Sequence, residues 1–170
     1  FYVPGNIVIT ICGNFNEASA LQKIKEIFMK RTKPKTSSFI KYNRSQSSPR
    51  IKILNKDTHQ AHLSMGVRTF GRDHEDRYVL GLLHIILGAN MSSRLFENIR
   101  EKKGLAYEIG SEIKRYKETG AFVVNAGTEH KKVKEVVRLV IKELQKIKSK
   151  QVPGNELKRA KEFIKVQLLL

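Results

Sequence analysis

The residues best placed for chemistry lie between Ser92 and Tyr107, in the run Ser-Ser-Arg-Leu-Phe-Glu-Asn-Ile-Arg-Glu-Lys-Lys-Gly-Leu-Ala-Tyr. It reads as a charged helix, a glycine stop at Gly104 and a strand opening at Tyr107, so Arg100 at the helix end and Tyr107 at the strand start come close together. A guanidinium beside a phenol makes a pair of donors for a carbonyl or an oxyanion. A surface arginine and an edge tyrosine are the plainer account, and spacing alone favours it. His59 and His62, three apart at a loop-to-strand junction, would need two more ligands to hold a metal, and otherwise read as surface or packing histidines. His84 falls within an apolar helical run and reads as a core histidine with one satisfied nitrogen. Cys12 falls inside an apolar β-favouring run, where a thiol is a buried packing group rather than a nucleophile. No GxSxG, phosphate loop or GxGxxG occurs.

The elements that must position these groups follow from periodicity. Ile7 to Cys12 reads as a buried strand closed by Gly13 and Asn14, and Asn16 caps a helix carrying Leu21, Ile24, Ile27 and Phe28. From Arg31 to Arg50 the chain holds six basic residues, no acid, and Pro34 and Pro49, which marks a linker with at most a short extended piece at Phe39 to Tyr42. Strands are expected at Ile51 to Leu54 and Ala61 to Arg68. A buried helix is expected over Tyr78 to Leu87 with Gly88 as its C-terminal stop, then a helix capped by Ser92 or Ser93 and running to about Lys103. Ala106 to Tyr116 and Ala121 to Thr128 should pair as a hairpin, followed by an amphipathic helix over Lys132 to Lys148 and a last one from Asn155. The sum is an α+β domain of two layers, a mostly antiparallel sheet with helices packed on one face.

The chain has 170 residues, 40% of them apolar, with Lys+Arg 33 against Asp+Glu 16 and a formal charge of +17. That apolar content suits a folded domain rather than disorder. One cysteine excludes an internal disulfide, and with no signal-peptide pattern or long apolar run it points to a cytoplasmic location. A surface this basic can gather phosphate, but the basic residues are mixed with acids and lack interleaved aromatics, so a nucleic-acid-binding α+β module is the weaker account.

The Arg94 to Tyr107 stretch resembles the C-terminal-half signature of the M16 zinc metallopeptidases, the family of pitrilysin, insulin-degrading enzyme and mitochondrial processing peptidase. Tyr2, Pro4, Asn6 and the run to Gly13, then Gln60-Ala61-His62, Arg72-Asp73, Ile86-Leu87-Gly88, Met91 to Phe96, Thr119-Gly120, Glu156-Leu157 and Ala160-Lys161 fall in family order. The resemblance implies a domain of the M16 peptidase and LuxS-like metallohydrolase type. Residues 1–30 would end a preceding N-terminal domain, 31–50 would link, and 51–170 would be the C-terminal, inactive-half domain, truncated at its end. It also implies a zinc endopeptidase acting on peptides or unfolded segments. Its zinc would be held by HxxEH and a distant Glu in the N-terminal domain, on the same chain or a homologous subunit, with a homo- or heterodimer among the possible assemblies. This sequence has no HxxEH. The fragment is therefore expected to be inactive alone, with Arg100 and Tyr107 at the positions that clamp the substrate backbone. The family includes noncatalytic subunits that partner an active homologue, and these are the alternative.

Overall fold

The computed structural model describes residues 6–28 and 46–169, apart from the side chain of Leu168. The chain divides into two compact units, 1–41 and 42–170. Most of the expected linker, including Phe39 to Tyr42, lies outside the described residues, as do Tyr2 and Pro4.

In the first unit Asn16 begins α1 (Glu17–Phe28) as expected, its Oδ1 accepting the Ser19 amide at 3.0 Å. The strand expected at Ile7 to Cys12 is not formed. Those residues have no regular structure, Val8 is 93% exposed, and Cys12 is exposed rather than buried. A β-favouring run becomes a buried strand only where neighbouring strands take its backbone groups and another layer covers it, and no described segment pairs with this one.

The second unit holds a three-stranded antiparallel sheet in the order β1-β3-β2, from β1 (Ala61–Phe70), β2 (Glu108–Arg115) and β3 (Thr119–Thr128). β2 and β3 form the expected hairpin, Arg115 opposite Gly120 and Glu108 opposite Gly127. β1 joins the other side of β3 with Ala61 opposite Thr128. This register puts Leu63, Met65, Ile109, Ile113, Phe122, Val124 and Ala126 on one face, since side chains alternate along each strand. Helices α2 (Arg77–Gly88) and α3 (Val133–Ser149) cover that face, with Leu87, Val136 and Val140 fully buried against it. The final helix α4 (Gly154–Leu169) packs on α2 through Ile85, Ile86, Ala160, Phe163 and Ile164. The two-layer α+β architecture is the one the periodicity predicts.

Three local expectations are corrected. Ile51 to Leu54 is not a strand: Ile51, Ile53 and Leu54 are exposed and none pairs. As with Ile7 to Cys12, composition favours extension but no described neighbour accepts the hydrogen bonds. α2 is not buried along its whole length, because Tyr78 and Val79 in its first turn face solvent. Gly88 does end α2, but it has no left-handed backbone; among the described residues only Gly13 and Gly104 have positive φ. Its reason is closeness to the sheet: a Cβ on Gly88 would sit 2.5 Å from the Ser111 amide nitrogen.

His84 has the one satisfied nitrogen expected of it, but it does not lie in the core. It is half-buried, and its Nδ1 lies 2.8 Å from Ser111 Oγ. Burial, and then the charge of Arg115, push its pKa below the ordinary 6.5. The fold therefore favours the neutral imidazole. Its contribution is fully present above the unfolded pKa of about 6.5 and is lost as pH falls through the lower folded value, because the unfolded chain takes up the proton first. Urea unfolding at about pH 7.5 and about pH 5.5 should show a smaller loss of stability on acidification for His84→Asn than for the wild type. Equal losses would sink this account.

Candidate functional site

The candidate site is built on a helical turn wound wider than an α-helix. After Arg94 and Leu95 the chain runs as a π-helical turn over Phe96–Glu101, and the Lys102 amide reaches back five residues to the Glu97 carbonyl at 2.9 Å. Leu95 and Ile99 are fully buried and anchor one face of the turn in the core. Next to them in the turn, Arg100 is exposed, with its guanidinium 4.6 Å from the centroid of the Phe96 ring. Such wide turns hold an inserted residue and often occur at functional sites. Periodicity alone predicts an ordinary helix here.

The serine cap expected at the start of this helix is absent. Ser93 Oγ is buried without a partner, and the turn is held instead by Asn90, whose Oδ1 accepts the Ser92 amide at 2.9 Å. Arg94 makes a two-point contact across to α4, its Nε donating to Glu156 Oε1 at 2.8 Å and its Nη2 to Oε2 at 2.6 Å. Both side chains are mostly buried, so the fork-to-carboxylate geometry ties the helix start to α4. The hydrogen bond to Glu156 raises the Arg94 pKa further.

Gly104 ends the turn as expected, with a φ of +58° that a side chain would disfavour. Its amide donates to the Arg100 carbonyl at 2.9 Å, and the Leu105 amide to the Ile99 carbonyl at 3.0 Å. Leu105 and Ala106 are buried. The Thr128 hydroxyl donates to the Leu105 carbonyl, and the Tyr107 amide to the Gly127 carbonyl at 2.8 Å. The segment from Arg100 to Tyr107 is thus fixed to a buried turn at one end and to β3 at the other. Tyr107 itself is 53% exposed, and no hydrogen bond joins its phenol to Arg100 among the described residues. Both donors remain available to a third group.

Lys132 stands beside this site, paired with Glu129 at 2.6 Å. That bond, chiefly, raises its pKa, and the nearby Tyr107 adds a smaller electrostatic contribution. Neither Thr128 nor Lys132 stands out in the sequence: a threonine ending a strand and a lysine in a basic run have no distinctive spacing.

His59 and His62 do not come together with further ligands. His62 is exposed, with Nδ1 3.9 Å from Glu108 Oε1. Among the described residues no three His, Cys, Asp or Glu side chains are grouped to hold a metal ion. Among the described residues these groups do not fit a zinc centre, and Arg100 and Tyr107 present hydrogen-bond donors.

The fold is that of a domain of the M16 peptidase type. Among solved structures, the chain is similar to a protease from Helicobacter pylori (TM-score 0.72, 24% identity, covering 92% of this chain and 39% of that one). It is also similar to a peptidase M16 inactive domain from Pseudomonas fluorescens (TM-score 0.61, 25% identity, covering 65% and 27%). The family model described as the peptidase M16 inactive domain matches residues 1–164, and the chain belongs to that family. Its relatives include the uncharacterized zinc protease YmxG of Bacillus subtilis, 31% identical over 100% of this chain and 41% of its own length. An uncharacterized zinc protease of Rickettsia bellii is 34% identical over 98% of this chain and 40% of its own length. The chain therefore spans about two fifths of the length of these curated relatives.

Proposed function

We propose that this chain is the substrate-clamping C-terminal region of a zinc endopeptidase that cleaves peptides or unfolded segments, and that it is inactive alone. In this reading residues 1–30 end the N-terminal domain, 31–50 link, and 51–170 form the C-terminal domain. The N-terminal domain carries the zinc site, on the same chain or on a partner subunit. The observation that carries the proposal is the paired anchoring of Arg100 and Tyr107, whose backbones are fixed by buried neighbours while their side chains stay open. Donors held in this way need no reorganisation when a scissile carbonyl gains negative charge. Zinc bound by the other half would supply activated water. What this chain supplies is orientation of the peptide and, on closure against the catalytic half, exclusion of water around it.

Removing metal from the full-length protein tests the proposal. Peptidase activity should fall to background on dialysis against chelator and return with zinc, while residues 1–170 alone should cleave nothing with or without added zinc. Absence of zinc and activity from the purified full-length protein, together with stable assembly on an active homologue, would instead identify a noncatalytic subunit.

A further inference from the structure

We propose that Thr128 is a positioning residue for Tyr107, setting the phenol's reach toward the substrate by holding the loop on which it rides. This rests on the reading of Tyr107 as a substrate donor. The phenol is half exposed, so packing of its own ring does not fix the loop's direction. Direction must come from the backbone. Two hydrogen bonds fasten this loop to the end of β3: Gly127 O to the Tyr107 amide, and Thr128 Oγ1 to the Leu105 carbonyl. The first is a main-chain bond, present whatever side chain stands there, and it runs directly into the β2–β3 pairing at Glu108. The second gives it a further fixed point.

That second bond depends on one hydroxyl in a dry place. Thr128 is fully buried and Leu105 nearly so, so the Leu105 carbonyl has no solvent to replace a lost donor. Branching at Cβ restricts the Thr128 rotamer and keeps the hydroxyl aimed. The strand end beneath is tightly packed as well: a Cβ on Gly127 would come within 3.1 Å of Glu108 Cγ. Immediately beyond, the Glu129–Lys132 ion pair closes the turn beside Tyr107. β3 thus ends as a platform, with Thr128, among the described residues, supplying its side-chain bond to the loop.

The test uses the full-length protease and compares Thr128→Val, Thr128→Ser, Tyr107→Phe and the Thr128→Val/Tyr107→Phe double variant. Misplacing a substrate-orienting group by about 1 Å can cost about 100-fold, so Thr128→Val should lower kcat by about 10- to 100-fold with KM changed by less than about threefold. Thr128→Ser, which keeps the hydroxyl, should stay within about threefold of wild type. Once the phenol hydroxyl is gone there is little left to position, so adding Thr128→Val to Tyr107→Phe should cost less than about a further threefold. Unchanged kcat in Thr128→Val, or the full loss repeated in the Tyr107→Phe background, would overturn the proposal and leave the clamp reading standing. A Tyr107→Phe enzyme with wild-type kinetics would remove both. If Thr128→Val does not fold, Thr128→Ala takes its place in the same comparisons. Failure of both to fold would make Thr128 a residue of the fold alone and overturn its positioning role.

Discussion

On the proposed clamp, Arg100→Ala in the full-length protein should lower peptidase kcat/KM by about 100- to 1000-fold, or about 2.7–4 kcal/mol of transition-state stabilisation, the usual loss for one oxyanion-type donor. Tyr107→Phe, which removes a single hydroxyl, should fall in or just below that range. The loss should appear mainly in kcat, because charge on the substrate oxygen develops in the transition state and the donors matter most there. Arg100→Lys should recover little: the planar, forked guanidinium lies against the Phe96 face, and an ammonium reproduces neither the fork nor the stacking. Under the proposed clamp the two donors act on one oxygen or its neighbour, so the double variant should be less impaired than the product of the two losses. Steady-state kinetics on an unfolded peptide decide the matter. If neither single change lowered kcat/KM by more than a few-fold, the two residues would be surface groups and the clamp would be elsewhere.

The second large effect is on stability. Leu87→Ala should cost about 3–5 kcal/mol, because Leu87 is fully inaccessible between α2 and the sheet and its removal leaves a cavity that rigid neighbours on both sides cannot close. On the same helix Val79→Ala should change stability by less than about 0.5 kcal/mol, since Val79 is 62% exposed. Urea midpoints with unchanged slopes would measure both. A Leu87→Ala cost below about 1 kcal/mol would mean that α2 does not rest on the sheet as described.

Legibility of the fold in the sequence followed from how local each signal is. α3 was plain because Val136 and Val140 repeat at helical spacing and end up on the buried face. The hairpin was plain because β2 and β3 are adjacent in the chain and need no distant partner. Ile7 to Cys12 and Ile51 to Leu54 carried the same β-favouring composition and formed no strand, since pairing is a property of neighbours rather than of a segment. At Gly88 the position of the helix end was readable and its cause was not: a terminating glycine and a close-approach glycine look alike until Ser111 is placed beside it. At the candidate site Gly104 marks the helix stop in the sequence, and its positive φ ends the turn. The assignment of Arg100 and Tyr107 as a clamp came from family resemblance, because neither their spacing nor their exposure distinguishes donors from ordinary surface residues. The wide turn at Phe96 to Glu101 and the Thr128 anchor had no local signal, depending on one extra residue per turn and on a contact 23 positions away.

The sheet's arrangement also bears on how this chain behaves at high concentration. With β3 in the middle, β1 and β2 each present an outer row of backbone donors and acceptors, and among the described residues nothing pairs with either. Ile51, Ile53 and Leu54, β-favouring and exposed, belong to the same unit. Edges of this kind recruit other strands, including those of identical molecules. The formal charge of +17 opposes that approach by mutual repulsion, over a distance that shrinks as salt is added. For the separate chain, this balance predicts that added salt brings copies closer, and light scattering against ionic strength would read it.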